Sequence, residues 1–388
     1  MIPYAEFGYF GILLYAVVPV FIPKLGLRFG RVWILLATLG MLVVQYWAPL
    51  QLTPSLAMRE LWLVAGYAIW QAAITFAFLR LRPRVASPWP YYAALGLSLL
   101  PLIAAKLTPV VAPGDEFGFL GISWVTFRAL DLVFLGQDKL LKRLSLAQFF
   151  AYLFFFPTLS SGPIDRFRRF EKDWSHTRNG AEFLADLDAA VQRLFRGFLY
   201  KFILAALIQR YWLDPLTGSD ALSTVSYMYG YGLYLFFDFA GYTAFAIAVS
   251  LVFGVHTPEN FNRPFLARDV KDFWARWNMT LSTWFRDHVY MRFLLTATKR
   301  KWFTDRYVAS SVGYLLLFGL MGLWHGPQLH YIVYGLYHAG LMIGYEWFAR
   351  WAKTRTVWGS GPLWTVAAIA VTVQAVFLGF LIFSGRLF

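Results

Sequence analysis

The chain has 388 residues, of which 59% are hydrophobic and only 14% charged, and its mean hydropathy is +0.52. A soluble domain of this length would carry far more surface charge, which excludes that class, and the absence of cysteine excludes disulfides, thiolate metal sites and a thiol nucleophile. The net charge of +14 reports basic cytoplasmic loops and suits anionic headgroups or an acidic protein partner; nucleic acid fits poorly, because the basic residues sit between apolar runs.

The first apolar run, residues 7–22, has no basic flank before it and no small-residue cleavage site, so it reads as a retained span. The runs "VWILLATLGMLVVQYWAPL", "LWLVAGYAIWQAAITFAFL", "LYLFFDFAGYTAFAIAVSLVFGV" and "LWTVAAIAVTVQAVFLGFLIF" are each long enough to cross about 30 Å of hydrocarbon as a helix. The loops alternate in charge. Lys24, Arg28 and Arg31 precede a nearly neutral loop at 51–60; Arg80, Arg82 and Arg84 precede the acidic Asp115 and Glu116; Lys139, Lys142 and Arg143 follow. Basic loops stay in the cytoplasm, so the N-terminus is expected outside a plasma membrane. Arg128 and Asp131 are three apart, a spacing that predicts a pair on one helix face.

The middle departs from simple spanning helices. "AYLFFFPTLSSGPIDRFRRF" breaks at Ser160-Ser161-Gly162-Pro163 and turns basic, which predicts a re-entrant or buried segment. Residues 182–197 read as an amphipathic interfacial helix. Spans are expected near 198–213 and 225–253, with Asp214 and Asp220 outside between them and Asp238 mid-span. Residues 256–306 form a basic cytoplasmic arm that opens on the turn-rich "HTPENFNRPF". Within it Val270, Phe273, Trp277, Leu281 and Trp284 recur at helical spacing, predicting one helix lying in or against the membrane. Further "VYMRFLLTATKRKWF" joins apolar Met291, Leu294 and Leu295 to basic Lys299, Arg300 and Lys301, a surface suited to an acidic partner with a small hydrophobic patch, or simply a solvated basic face. The chain then crosses at 307–323, 329–348 and 363–384, giving ten or eleven membrane segments in a single domain spanning residues 1–388, with no internal repeat.

The stretch "GLMGLWHGPQLHYIVYGLYHAG" holds three of the six histidines. His325 ends a span, and Gly326-Pro327 breaks the helix behind it. Gly319, Gly322 and Gly326 leave room for a backbone or a ligand. A histidine at such a break either faces a cavity and works there or is satisfied by a neighbouring carbonyl; position alone leaves both open. His330, at the start of the next span, reads as an interfacial residue, and His338 as a hydrogen-bonded packing residue. A three-histidine metal site is disfavoured, since 325 and 330 are split by Gly-Pro and Glu346 is distant in sequence.

Two long stretches, "PENFNRPFLARDVKDFWARWNMTLSTWFRDHVYMRF" and "MGLWHGPQLHYIVYGLYHAG", resemble the membrane-bound O-acyltransferase (MBOAT) family. "FLGISWVTFRALD", "FFPTLSSGPIDRFRRF" and "YMRF" look like its branch that transfers D-alanine in teichoic-acid D-alanylation. The resemblance implies an all-α polytopic membrane fold, a ring of tilted helices with re-entrant segments around a central tunnel. It implies that His325 is the catalytic histidine, with Trp324, Gly326, Ser160, Ser161 and Asp238 along the tunnel. Many relatives carry His where this chain has Asn278; Asn cannot act as a base, so Asn278 is expected only to position or hydrogen-bond. The implied donor is D-alanine as a thioester on the phosphopantetheine arm of an acidic carrier protein, docked on Met291, Leu294, Leu295, Lys299 and Arg300. The chain itself is expected to bind no cofactor and no metal. Further membrane subunits, membrane lipids and a hydroxyl acceptor on an envelope polymer or relay partner complete the implied set. Two other readings stay open. One is an alginate-type polysaccharide O-acetyltransferase, whose members tend to show "AGPI" where this chain has "SGPI". The other is a transporter of a lipid-linked sugar, with broken helices and Asp238 and Arg128 along its path.

Overall fold

The computed structural model describes residues 2–22, 30–46, 54–112, 117–141, 143–355 and 361–388. The loop residues Lys24, Arg28, Asp115, Glu116 and Lys142 lie outside the described residues. Among those described, the secondary structure is entirely helical. The helices are α1 Phe7–Val17, α2 Gly30–Tyr46, α3 Pro54–Leu81, α4 Trp89–Val111, α5 Ile122–Gln137, α6 Leu146–Leu153, α7 Phe167–Ser175 and α8 Gly180–Gly197. After them come a helical segment in three pieces, Phe198–Ala205, Ala206–Ile208 and Gln209–Leu213, taken together as α9, then α10 Ala221–Val252, α11 Val270–Trp274, α12 Met279–Phe285, α13 Met291–Lys299, α14 Arg306–His325, α15 Leu329–Arg355 and α16 Pro362–Phe383.

Among the described residues, five stretches are long and apolar enough to cross a bilayer: Arg59–Leu81, Trp89–Val111, Ala221–Val252, Arg306–His325 and Pro362–Phe383. Shorter apolar helices lie at Phe7–Phe21, Gly30–Tyr46 and Leu146–Thr158. The expected ten or eleven segments therefore include several that are not full apolar spans. The segment expected at 198–213 is helical but carries Lys201, Gln209 and Arg210 and is wound partly in wide i→i+5 turns. The one expected at 329–348 is α15, which holds His330, His338 and Glu346.

The chain forms two compact units. Unit 1 comprises Met1–Gly197 and Tyr242–Pro258, and unit 2 comprises Phe198–Gly241 and Glu259–Phe388. In unit 1, α5 is buried over nearly its whole length. Its Thr126 shares a 2.7 Å hydrogen bond with Tyr67 of α3, where Gln71 donates to Tyr67 and to the Ser98 carbonyl. Arg128 is 1% exposed, yet it does not take the predicted partner on its own helix. Its guanidinium donates to the carbonyls of Tyr152, Leu153 and Thr158 and to the Thr158 hydroxyl. Asp131 instead receives Arg166 at 3.0 Å, the Tyr152 hydroxyl and the Phe167 amide. The three-residue spacing was a local signal, and the carbonyls freed where α6 ends outbid it because they had no helical partner.

Those carbonyls belong to the segment predicted as re-entrant or buried. It is buried: every residue from Phe154 to Ser160 lies inside unit 1. A Ser145–Gln148 capping box starts α6, and Pro157 falls in the tight turn Phe156–Thr158 that follows it. The amphipathic helix predicted over 182–197 is α8, with Leu184, Val191 and Phe195 on its exposed side.

A charged cluster fastens the end of α10 within unit 1. Arg178 donates to Asp186 and to the carbonyls of Leu251 and Val252. His256 stands between Asp186, 2.9 Å from Nε2, and Asp173, 3.4 Å from Nδ1, with Arg169 also on Asp173. The hydrogen bond to Asp173 raises the His256 imidazole above its ordinary value, and the charges of Asp186 and Asp173 add to this against partial burial. A raised folded-state value means that protonated His256 contributes stability below pH about 6.5, and that this is lost as pH rises through the raised value. His256→Gln is therefore expected to lower the melting temperature at pH 6 and to change it little at pH 9. An equal loss at both pH values would contradict the charged pairing.

In unit 2 the predicted stripe is real but its single helix is not. Val270, Phe273, Trp277, Leu281 and Trp284 are all at most 8% exposed. They belong to α11, the following turn and α12, separated by Asn278, which adopts the left-handed conformation with φ 41°. Asn tolerates that conformation better than most residues. Asn260 closes the break: its carbonyl accepts from the Met279 amide at 2.9 Å, and its side chain accepts from the Thr280 hydroxyl at 2.6 Å. The stripe is buried in unit 2, where Trp277 packs against Phe236, Phe261 and Phe380.

Candidate active site

Two glycines decide how the histidine-bearing helices meet. A Cβ on Gly322 of α14 would strike the Tyr331 carbonyl at 2.5 Å, and one on Gly335 of α15 would strike the Phe318 carbonyl. Backbone therefore lies against backbone, as in small-residue helix pairs in membranes. Gly326 is met instead by the side chains of Tyr331 and Gln328, whereas Gly319 faces open space, so two of the three predicted close approaches are made.

His325 is the last residue of α14. Its ring lies 4.5 Å from that of Trp324, 5.7 Å from Tyr331 and nearly parallel to it, 6.0 Å from Tyr334 and 4.9 Å from Phe383, centroid to centroid. Phe383 also touches Tyr331 and Tyr334, each at 5.1 Å, so four aromatic rings frame one imidazole. The imidazole is half-buried, reachable and yet shielded.

The other two histidines of the motif are placed differently. His330 is half-buried and lies against Tyr331 and Phe388. His338 is fully buried against Trp274, Phe318, Tyr334 and Tyr337. The packing role predicted for His338 is present, but neither ring nitrogen has a hydrogen-bond partner among the described residues. Gly379 makes the room it needs, since a Cβ there would meet its Nε2 at 2.5 Å.

Asn278 is 8% exposed, and its side-chain oxygen also lacks a hydrogen-bond partner among the described residues. It is therefore a buried amide with acceptor capacity left over. Asp238 is paired with Lys201 of α9, and Gly241 lies directly against the backbone of Lys201. Trp324 and Gly326 flank His325 in sequence and space. In unit 1 the Ser160 hydroxyl shares a 2.8 Å hydrogen bond with the Tyr242 hydroxyl, which also accepts from the Ser161 amide at 3.1 Å. On α13, Met291 and Leu295 are exposed, Leu294 is half-buried, and Lys299 and Arg300 are exposed beyond them. Among the described residues no group of three His, Asp or Glu side chains stands close enough to hold a metal ion.

One feature of unit 2 had no signal in the sequence. A cavity of about 240 Å³ is lined by apolar Trp274, Leu317, Phe318 and Met321, with Lys271 and Arg286 as its cations. Met321 is one helical turn before His325, so the cavity wall extends to within a turn of that imidazole. Its residues come from five separate helices and turns, which no local pattern connects.

A membrane helix bundle, a histidine at a helix break and a cavity whose wall ends one helical turn from it suit an acyl-transfer site. The family model described as MBOAT, membrane-bound O-acyltransferase family, matches residues 120–377. The chain belongs to that family, and it is a multi-pass membrane O-acyltransferase. It is 44% identical over 334 residues to the teichoic acid D-alanyltransferase of Bacillus subtilis (strain 168), covering 83% of this chain and 84% of the relative. Identity to the teichoic acid D-alanyltransferase of Streptococcus thermophilus is 40%, covering 99% of this chain and 95% of that one. The probable alginate O-acetylase AlgI of Pseudomonas aeruginosa is 29% identical, over 81% of this chain and 58% of its own length. Membership of an acyltransferase family displaces the transporter reading.

Proposed function

We propose that the chain passes D-alanine from a phosphopantetheine thioester on a small acidic carrier protein, across the plasma membrane, to a hydroxyl of teichoic acid or of a relay partner. The observation that carries this is the likeness to the two D-alanyltransferases over more than four-fifths of both chains. The alginate-type relative is less similar and matches over a smaller part of its length.

His325 is the base. Its neutral imidazole takes the proton of the acceptor hydroxyl as the oxygen attacks the thioester carbonyl. The new C–O bond forms, the C–S bond breaks, and the departing sulfur takes the proton back from the imidazolium. The four rings around His325 exclude water, which would otherwise hydrolyse the thioester, and their faces tolerate the transient cation. Asn278 positions by hydrogen bonding, through its unused amide oxygen. Trp324 and Gly326 shape the outer approach, Asp238 belongs to the tunnel lining, and the Lys271–Arg286 cavity receives the arm. The thioester is already activated, so the chain needs no cofactor or metal of its own. The N-terminus lies outside, and membrane lipids and further subunits of the D-alanylation system surround the site.

The carrier docks on α13, where exposed Met291 and Leu295 offer an apolar patch beside Lys299 and Arg300. Met291→Asp with Leu295→Asp is expected to raise the KM for the carrier by about tenfold or more and to leave kcat at saturating carrier nearly unchanged. Lys299→Glu with Arg300→Glu should raise KM and flatten its salt dependence. Unchanged KM in both variants would remove α13 as the docking site.

A further inference from the structure

The aromatic frame of His325 is completed by Phe383, the last residue of α16. Five residues after it are fastened in an unusual way. Ser384 returns its hydroxyl to the Leu381 carbonyl and accepts from the Arg386 amide, and Gly385 takes φ +77°, a conformation that turns the chain off the helix axis. The Arg386 guanidinium then reaches back across the sequence. It donates to the Gly218 carbonyl at 2.5 Å and to the Leu216 carbonyl at 3.4 Å, and it lies 4.3 Å over the ring of Tyr227 in α10. Tyr227 is itself stacked on Tyr231 at 10°. All of these residues belong to unit 2.

We propose that Arg386 is a positioning residue for His325. It ties the end of α16 to the 214–220 turn and thereby holds Phe383 against the imidazole. The argument is one of geometry and strength. A guanidinium shared between two carbonyls and an aromatic face is a strong, directional anchor, because its hydrogen bonds are charge-assisted and its plane stacks. Phe383 is only three residues away and touches His325, Tyr331 and Tyr334, three of the residues that make the frame. Without the anchor, the last turn of α16 is free to fray, as helix ends do. The frame then opens on one side, water reaches His325, and the imidazole loses its fixed orientation. The catalytic consequence rests on the reading of His325 as the base; the shielding consequence does not.

The test uses the full chain in lipid vesicles and two readouts. The first is the rate at which diethyl pyrocarbonate modifies His325, followed by peptide mass spectrometry, with solvent-exposed His256 and buried His338 as internal references. Arg386→Ala should speed modification of His325 several-fold without affecting His338, and Arg386→Lys, which keeps the charge but loses the fork and the stacked plane, should restore only part of the protection. The second is transfer from carrier-bound D-alanine. Arg386→Ala should lower kcat by about tenfold at unchanged carrier KM and raise the share of thioester lost to water. An unchanged His325 modification rate, or a rise shared equally by His338, overturns the proposal, as does a change confined to carrier KM. A wild type that transfers no acyl group overturns the functional reading alone, and the modification rates still decide the anchor.

Discussion

His325→Ala is expected to lower acyl transfer by about 10²–10⁴-fold while leaving the fold and carrier binding intact. The expectation is large because, on the proposed reading, one imidazole carries the proton: the other proposed catalytic residue, Asn278, has an amide, which cannot take one. It is specific because the imidazole does not serve as a structural keystone. It is half-buried at the end of α14, and the close packing of α14 on α15 rests on Gly322 and Gly335 one to three turns away. Melting temperature and carrier KM should therefore stay near wild type while kcat collapses. His325→Gln keeps volume and a hydrogen-bonding group but no proton-accepting nitrogen, so it should be nearly as inactive. Activity retained in His325→Gln would mean that the residue orients rather than accepts a proton.

Arg128→Leu is the substitution expected to cost most in stability, about 3 kcal/mol or more. Two terms oppose each other. Removing a buried charge relieves its desolvation, but Arg128 stays ionised and its charge is already met by four acceptors. The leucine would leave the carbonyls of Tyr152, Leu153 and Thr158 without a donor in a region that water does not reach, at about 1–3 kcal/mol each. The second term wins because there are several such groups and no other donor replaces the guanidinium. A thermal melt in detergent should show a clear drop for Arg128→Leu and a smaller one for Arg128→Lys, which keeps one ammonium in place of a fork. An unchanged melt for Arg128→Leu would mean that solvent enters the segment and satisfies it.

How much of this was legible depended on how local each signal was. Long apolar runs stand out wherever a helix meets lipid or core all round, so α3, α10, α14 and α16 are visible as runs. The motif around His325 was visible too, because a helix, a histidine and Gly326-Pro327 are adjacent in sequence. The stripe from Val270 to Trp284 was visible as a buried face but was read as one helix. Periodicity survives a break when both pieces pack on the same core, and only the backbone at Asn278 reveals it. The partners of Arg128 are not legible, because the sequence shows which carboxylate is near but not which carbonyls a distant turn will strand. His338 was expected to be hydrogen-bonded, yet aromatic packing around it prevailed. Arg386 and the cavity at Trp274 gave no signal, since each joins residues that lie far apart along the chain.

The most direct measurement is single-turnover transfer in vesicles containing the full chain. Carrier protein bearing labelled D-alanine on its phosphopantetheine arm is supplied on one side and a teichoic-acid-containing membrane extract serves as acceptor, with acetyl-loaded carrier and free acetyl donors run in parallel. The account predicts that D-alanyl label leaves the carrier and appears as an ester on the acceptor with wild type and not with His325→Ala. Label that stays on the carrier with wild type while acetyl donors are consumed would contradict it and place the chain with the polysaccharide O-acetylating members of its family.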